Sequence, residues 1–381
     1  MTKRAGALTR SLTVDVLSTI GEVEGIVDDW DALAEQSNTQ PFGRPALALA
    51  WWRHLGKGSL HVITVRTTGG ELVGLAPLHR RSFPAAGVLR SLGHGAGAVT
   101  PFLVAPVKAD VAGVIATALV ADGRTAHLAD LPVDDPTLRA ARRDDRLDVD
   151  ARLHDECPVI RLTGLDDSRS LLAAPSHARL RKLLARADRE LAGHDWSVDV
   201  ATERSAVVQA FRQVGPLYDA AETDRPRLHF GVGLHGDFFT EALGLLADRD
   251  QVAFLTLLID GEAAAFDVHV RINATAAAAI LGRFHPTHAS ISPGHLLLRS
   301  GVDWAIDAGL DRLDLQLGDD AYKTSWANDG YDTVEAILAP PGRALVARAS
   351  MQGIEFAHRF RQRARRGSRP PSELLRRFDP H

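Results

Sequence analysis

Residues 251–272, QVAFLTLLIDGEAAAFDVHVRI, read as two β-rich runs joined at Asp260-Gly261-Glu262. Asp-Gly is a two-residue hairpin signal, because both central positions of the favoured turn need φ > 0. The first half repeats the plan over residues 60–81, LHVITVRTTGGELVGLAPLHRR, around Gly69-Gly70-Glu71. Gly70 and Gly261 lie 191 positions apart in a chain of 381. The stretches downstream of the two hairpins also match: an apolar helix candidate at Ala109–Ala121 and then TAHLADLP with Asp130, against Gly294–Ala308 and then DRLDLQLG with Asp314. Helix candidates precede each hairpin as well, at Val23–Gln36 and Ala46–Leu55, and at Ser205–Ala221 and Asp237–Ala247. A repeated order of elements points to a repeated fold. Helices before and after a largely antiparallel sheet make an α+β domain with a mixed sheet rather than a barrel.

Composition agrees with a folded chain of two or three domains. Apolar residues make up 45% and charged residues 24%, which argues against disorder, collagen or a coiled rod. Forty-four Lys and Arg against 48 Asp and Glu give a formal charge of −4, so no chain-wide basic field favours stable DNA binding. The single Cys157 excludes an internal disulfide and a Cys-rich zinc ribbon, and fits a reducing compartment. The start, MTKRAGALTRSLTVDVLST, lacks a continuous apolar core, and the longest apolar run, Val111–Ala121, is too short to span a bilayer. A soluble, cytoplasmic protein is expected.

The join between halves is expected near 155–170. Arg142–Asp155 is charged and irregular, CPVIRLTG looks like a crossing strand, and Asp166-Asp167-Ser168 precede a long helix, Leu171–Leu191. Its Arg179, Arg181, Lys182, Arg186 and Arg189 alternate with Asp188 and Glu190, which reads as a solvated face before it reads as a nucleic-acid surface. This division gives residues 1–160, residues 161–345 and a basic tail, 346–381. Residues 358–381 hold eight arginines against Glu373 and Asp379. Such a helix suits solubility, a tRNA acceptor, an anionic surface or the phosphates of a carrier.

The richest segment is residues 285–327, HPTHASISPGHLLLRSGVDWAIDAGLDRLDLQLGDDAYKTSWA. Ser292 is the expected N-cap of a helix, Pro293 suits its first turn, and Gly294 lets a ligand approach the backbone. A helix start of this kind presents N–H groups to a phosphate. Alternation along AAFDVHVRI puts Asp267, His269 and Arg271 on one strand face, where His269 or Asp267 suits a general base. The formal pattern Gly231-Val-Gly-Leu-His-Gly236 with Asp260 is a weak dinucleotide signal, since the strand ending at Asp260 turns straight into a hairpin. His285, His288 and His295 lack metal-site spacing, and no G-x-S-x-G elbow exists, so neither a metal centre nor a nucleophilic hydrolase is expected.

The Ser-Pro-Gly helix start, Asp307-Ala308-Gly309, the strand with Asp314, Gly318, Tyr322-Lys323 and Trp326 resemble the GNAT-like acyltransferases of the CelD type, which are similar in turn to FemAB-type transferases. The first half joins the resemblance through Asn38–Phe42, Trp51-Trp52, Leu72–Leu78 and Leu89–Gly93, so it covers about residues 20–345. The resemblance implies a tandem GNAT fold with two mixed, mostly antiparallel sheets flanked by helices. It implies an N-acyltransferase that moves an acyl group from acyl-CoA to an amine, such as an amino sugar, in polysaccharide or secondary-metabolite biosynthesis. The donor phosphates would meet Ser290, Ser292, Gly294 and His295, between strands drawn from Glu262–Ile272 or Thr275–Phe284 and from Leu313–Leu317. His269 or Asp267 would serve as base and Tyr322 or Lys323 the carbonyl or leaving group, with Asp314, Gln316, Arg271 and Trp326 near the substrate. The loop keeps only Gly294 of the usual small residues, which leaves room for an acyl-carrier protein, for aminoacyl-tRNA in a FemAB-like reaction, or for a silent binding protein. The first half, whose His94-Gly95-Ala96-Gly97 has no Tyr-Lys after it, would be the degenerate copy that shapes the acceptor side.

Overall fold

Both hairpins form where their turn residues require. In the computed structural model, which describes residues 12–37, 39–81, 87–106, 110–220 and 232–350, Asp260 and Gly261 take φ of 51° and 82°, and Gly70 takes 86°. Asn38, Gly231 and the tail 358–381 lie outside the described residues.

The first half runs β1 (Leu12–Leu17), α1 (Ile20–Glu24), α2 (Val27–Gln36), α3 (Pro45–Leu55), β2 (Ser59–Leu60), β3 (Val62–Thr67), β4 (Leu72–Ala76), β5 (Leu78–Arg80), β6 (Val88–Ser91), β7 (Leu103–Val104), α4 (Val111–Leu119), β8 (Thr125–Pro132), α5 (Pro136–Ala141) and β9 (Asp148–Arg161). The second runs α6 (Ser168–Leu172), α7 (Ala178–Leu191), β10 (Trp196–Ala201), α8 (Arg204–Gln213), α9 (Gly215–Ala220), α10 (Gly233–Ala247), β11 (Val252–Ile259), β12 (Glu262–Asn273), β13 (Ala276–Phe284), α11 (Pro293–Asp307), β14 (Arg312–Asp314), α12 (Ala321–Thr324) and β15 (Asp329–Ala339). Two expectations change. The helix over Leu171–Leu191 is broken by a 3-10 turn at Pro175–His177, because proline breaks the helical hydrogen-bond ladder and cannot continue the first helix. Asp167 still caps its first piece, accepting from the Ser170 N–H at 2.8 Å. The charged stretch before Asp155 is not irregular: from Asp148 it belongs to β9, whose long antiparallel pairing with β15 satisfies the backbone while Asp150 pairs with the buried Arg348.

There are two sheets, mostly antiparallel and flanked by helices, but they do not divide one per half. β1-β3-β4-β7 form the small sheet, and the large one has the order β10-β11-β12-β13-β14-β9-β15-β8-β6-β5-β2. Its centre is a reciprocal exchange. β9 closes the first half yet pairs with β14 of the second, β15 closes the second yet pairs with β8 of the first, and the two pair with each other. The boundary expected near residue 160 therefore falls at the end of a shared strand.

Apolar and polar contacts lock the halves. Phe42 stacks on Phe238 at 6.4 Å, and Arg53 and His54 both reach Glu241. Arg44, 1% exposed, pairs with Asp31 at 3.0 Å and with Glu35, and its Nε donates to the Arg271 carbonyl of β12 at 3.1 Å. Helix α11 covers one face of the second-half sheet through Leu296, Leu297, Val302 and Ala305, packed on Leu255, Ala277 and Leu313.

Candidate functional site

The site begins where two parallel strands part. β13 and β14 pair only at Ala276–Arg312, Ala277–Leu313 and Ala278–Asp314. Beyond that point β13 continues to Phe284, with Ile280 skipped in its pairing to β12, and a bulge of this kind bends a strand away from its neighbour. The other chain turns at Gln316, whose φ is 60°, and bonds instead to β9 through Leu315 N–H to the Pro158 carbonyl and Gly318 N–H to the Glu156 carbonyl. Helix α11 packs on both strands, and His295 in its first turn bonds Trp326, which follows α12. Of the strands expected to part, β13 rather than β12 is the one.

The mouth of α11 differs from expectation. Ser292 stands at the N-cap position, but its φ of 51° and ψ of 60° are left-handed and its side chain makes no capping bond. Pro293 has no N–H, and the His295 N–H donates to the Ser292 carbonyl at 2.9 Å. In the preceding 3-10 turn the His288 and Ser292 N–H groups are likewise satisfied, by the His285 and Ala289 carbonyls. Gly294 keeps an open flank, since a Cβ built there meets nothing within 4 Å, and Ser290 is exposed. The phosphate-facing amides are thus fewer than the Ser-Pro-Gly pattern suggests.

His295 ties this mouth to α12. Its Nδ1 accepts from Trp326 Nε1 at 3.0 Å, its ring lies over Trp326, and Tyr322 stands edge-on at 6.3 Å. Burial lowers the His295 pKa, so the ring is neutral with its hydrogen on Nε2. Trp326 is fully buried, so its ring offers no surface to a substrate. Tyr322 is half exposed. Lys323 is 9% exposed, and its Nζ donates to the Leu317 carbonyl at the edge of the opening. Burial draws its pKa down against the pull of Asp320, Cys157, Asp155 and Asp314.

Behind Lys323 lies a buried polar chain that joins the halves. Asp314, 1% exposed, accepts from the Gln316 N–H and the Tyr331 hydroxyl, each at 2.8 Å, and from Gln40 Nε2 at 3.4 Å. Gln316 donates to Gln40 Oε1 at 3.1 Å and accepts from the Val99 N–H at 3.2 Å. Burial raises the Asp314 pKa, and burial beside Asp314 and Cys157 raises Tyr331 well above the ordinary phenol value. Cys157 is pushed up to about 12 by burial, so it is a thiol and no nucleophile. A cavity of about 220 Å³ opens on this chain, lined by Gln40, Val159, Arg161, Arg312, Asp329 and Tyr331.

The polar face of β12 is elsewhere. His269 is fully buried beneath α11, where a Cβ on Gly301 would come within 2.5 Å of its ring, and Trp304 packs beside it at 5.8 Å. Gly301 is seven residues past Gly294, about 10 Å along the helix at 1.5 Å per residue. Asp267 Oδ2 lies 3.2 Å from His269 Nε2, without the direction of a hydrogen bond. The expected placement of His269 in the cleft is therefore corrected, because the glycine lets the helix descend onto that ring, while Asp267 stays partly exposed opposite Gly282 of β13. Arg271 contributes its carbonyl to Arg44, and Gln316 is occupied as a bracket between the halves. Tyr331 escapes sequence reasoning, because it sits on the exchanged strand. Gln40 belongs to a first-half motif with no role of its own in the sequence, since nothing local shows that it meets Asp314.

Comparison with known proteins bears on the fold. Residues 178–324 match the family model described as acetyltransferase (GNAT) domain. No curated protein matches the chain by sequence. Among solved structures, the C-terminal domain of a putative lysylphosphatidylglycerol synthetase from Agrobacterium fabrum superposes with a TM-score of 0.55 at 15% identity, over 86% of this chain and 95% of that one. FemX is similar at a TM-score of 0.58 and 12% identity, over 84% and 97%. L-PGS from Bacillus licheniformis gives 0.52 and 13%, over 84% and 96%. The chain has the GNAT fold in tandem. Among the described residues no helix is long and apolar enough to cross a membrane, and no group of His, Cys, Asp and Glu is arranged to hold a metal ion.

Proposed function

We propose that this chain transfers an acyl group from an activated carboxyl donor to an amine. The observation that carries the proposal is the three-residue parallel pair β13–β14 opening at the mouth of α11, with the buried Lys323 at the edge of that opening. The donor carbonyl enters the gap, and the Lys323 ammonium supplies positive charge to the oxygen as the amine adds. The amine approaches through the cavity bordered by Gln40 and Tyr331, where the Asp314 carboxylate takes its proton by way of the Tyr331 hydroxyl. The carbon–sulfur or carbon–oxygen bond of the donor then breaks, and Tyr322 at the mouth protonates the leaving group. An acyl-CoA thioester is the first donor, and amines of sugar or secondary-metabolite pathways are the acceptors to try.

A second donor, aminoacyl-tRNA, is favoured by two observations. The amides before α11 are largely satisfied internally, which weakens a pyrophosphate site, and the basic helix α7 packs against the 286–291 turn beside that mouth. The lysylphosphatidylglycerol synthetases, by their name, also concern a lysyl group. Mass spectrometry of the purified chain with acyl-CoAs, acyl-carrier proteins and charged tRNAs, each offered with amines, decides. Turnover with any thioester supports the first reading. Turnover with charged tRNA alone, with binding that falls steeply as salt rises, supports the second. Absence of turnover with every donor rejects catalysis and leaves a binding protein.

A further inference from the structure

The first half has its own version of the strand opening. β6 pairs in parallel with β8 only at Val88–Thr125 and Leu89–Ala126, as β13 does with β14. The loop after β6, His94–Gly97, therefore stands where the donor loop stands in the second half. Gly95 and Gly97 take φ of 79° and 75°, and a Cβ on either meets nothing within 4 Å, so this loop leaves bare backbone. Beside it lies a cavity of about 250 Å³, walled by Trp51, His94, Ala96, His235, Phe238 and Phe239.

Its aromatic walls pack on one another and on the core. Phe238 packs on Phe239 at 4.5 Å and on Phe42 at 6.4 Å, while Trp51 packs on His79 at 5.4 Å. Among the described residues no carboxylate, lysine or arginine lines the cavity. Burial, with Arg90 and His127 nearby, lowers the His94 pKa to about 2, so that ring is neutral, with one nitrogen able to donate and the other to accept. Among the described residues no lysine or arginine there would meet an anion, and the burial that keeps His94 neutral also opposes an ammonium. A dry cavity of about 150 Å³ takes one benzene ring, so this one has room for two fused rings. We infer that the first half binds a neutral, planar aromatic molecule with one hydrogen-bonding group, of the indole or phenol class, in this cavity. The inference stands apart from the acyl-transfer reading, because its site and its readout are separate from turnover.

Calorimetric titration of the full chain with indole, p-cresol and indene tests it. Saturable one-to-one binding of indole or p-cresol is expected, with a matching rise in melting temperature. Indene, which lacks the N–H, should bind about fivefold more weakly than indole, the value of about one hydrogen bond. Ala96→Trp, which fills the cavity, should abolish binding. Should that variant fail to fold, Ala96→Leu should weaken indole by about tenfold through lost volume. His94→Phe should remove the preference for indole over indene. The inference fails if neither indole nor p-cresol saturates by millimolar concentration, if Ala96→Trp folds and binds indole unchanged, or if CoA displaces indole.

Discussion

Lys323 carries a charge into a place where water cannot screen it, and the Leu317 carbonyl holds it at the strand opening. A donor aimed at developing oxyanion charge is worth about 10²–10³ in turnover, so Lys323→Met should lower kcat by that factor while leaving the melting temperature near the wild-type value. The Asp314 carboxyl, raised by burial, gives a pH signature of its own. As the proposed proton acceptor it must be ionised, so kcat/KM should fall with falling pH through a value above the ordinary 3.8 for aspartate. Its effect on stability has the opposite sign. A folded carboxyl whose pKa exceeds that of the unfolded chain destabilises once pH rises above the unfolded value, and protonation relieves the cost. Asp314→Asn should therefore erase the acid limb of the rate profile and make stability less dependent on pH across the acid range. A pH–rate series with urea unfolding at two pH values measures both.

At the scale of elements, the seating of α11 on β12 sets the site, because the helix delivers its own mouth to the β13–β14 opening. Gly301 makes that seating possible by leaving space for His269. Gly301→Ala should cost about 1–3 kcal/mol, the range for overpacking a filled core. Part of that loss should return in the Gly301→Ala, His269→Ala double variant, since the two sites share one volume and their effects will not add. Urea unfolding of the four proteins gives the coupling. Gly301→Ala should also reduce activity, as the lifted helix carries His295 and its bond to Trp326 away from α12.

The whole molecule behaves as one unit for a topological reason. Each half closes its sheet with the partner's last strand, and Arg44, Gln40 and Gln316 cross between halves inside the protein. Calorimetric unfolding should show one transition, with calorimetric and van't Hoff enthalpies equal. A chain ending before Asp329 should lose both halves together, because β8 and β9 would each present an unpaired edge. Two separate transitions, or a soluble, folded truncated chain, would contradict this.

Local chemistry makes much of the molecule readable. Asp-Gly and Gly-Gly turns announce the hairpins, Pro45 and Pro293 start helices in the first turn, and the spacing of the two hairpins discloses the repeat, because turn conformation and helix initiation are decided by neighbours in the chain. Lys323 and Asp314 are legible as candidates only through the resemblance to the GNAT-like acyltransferases, not from local chemistry. Alternation correctly puts Asp267, His269 and Arg271 on one face, yet cannot say that α11 covers it. The exchange of β9 and β15, the bond from Tyr331 to Asp314 and the meeting of Gln40 with Gln316 were decided only by tertiary structure. Strand pairing between residues more than a hundred positions apart and burial of a polar side chain depend on which surfaces exclude water together, and no short stretch of sequence contains both partners.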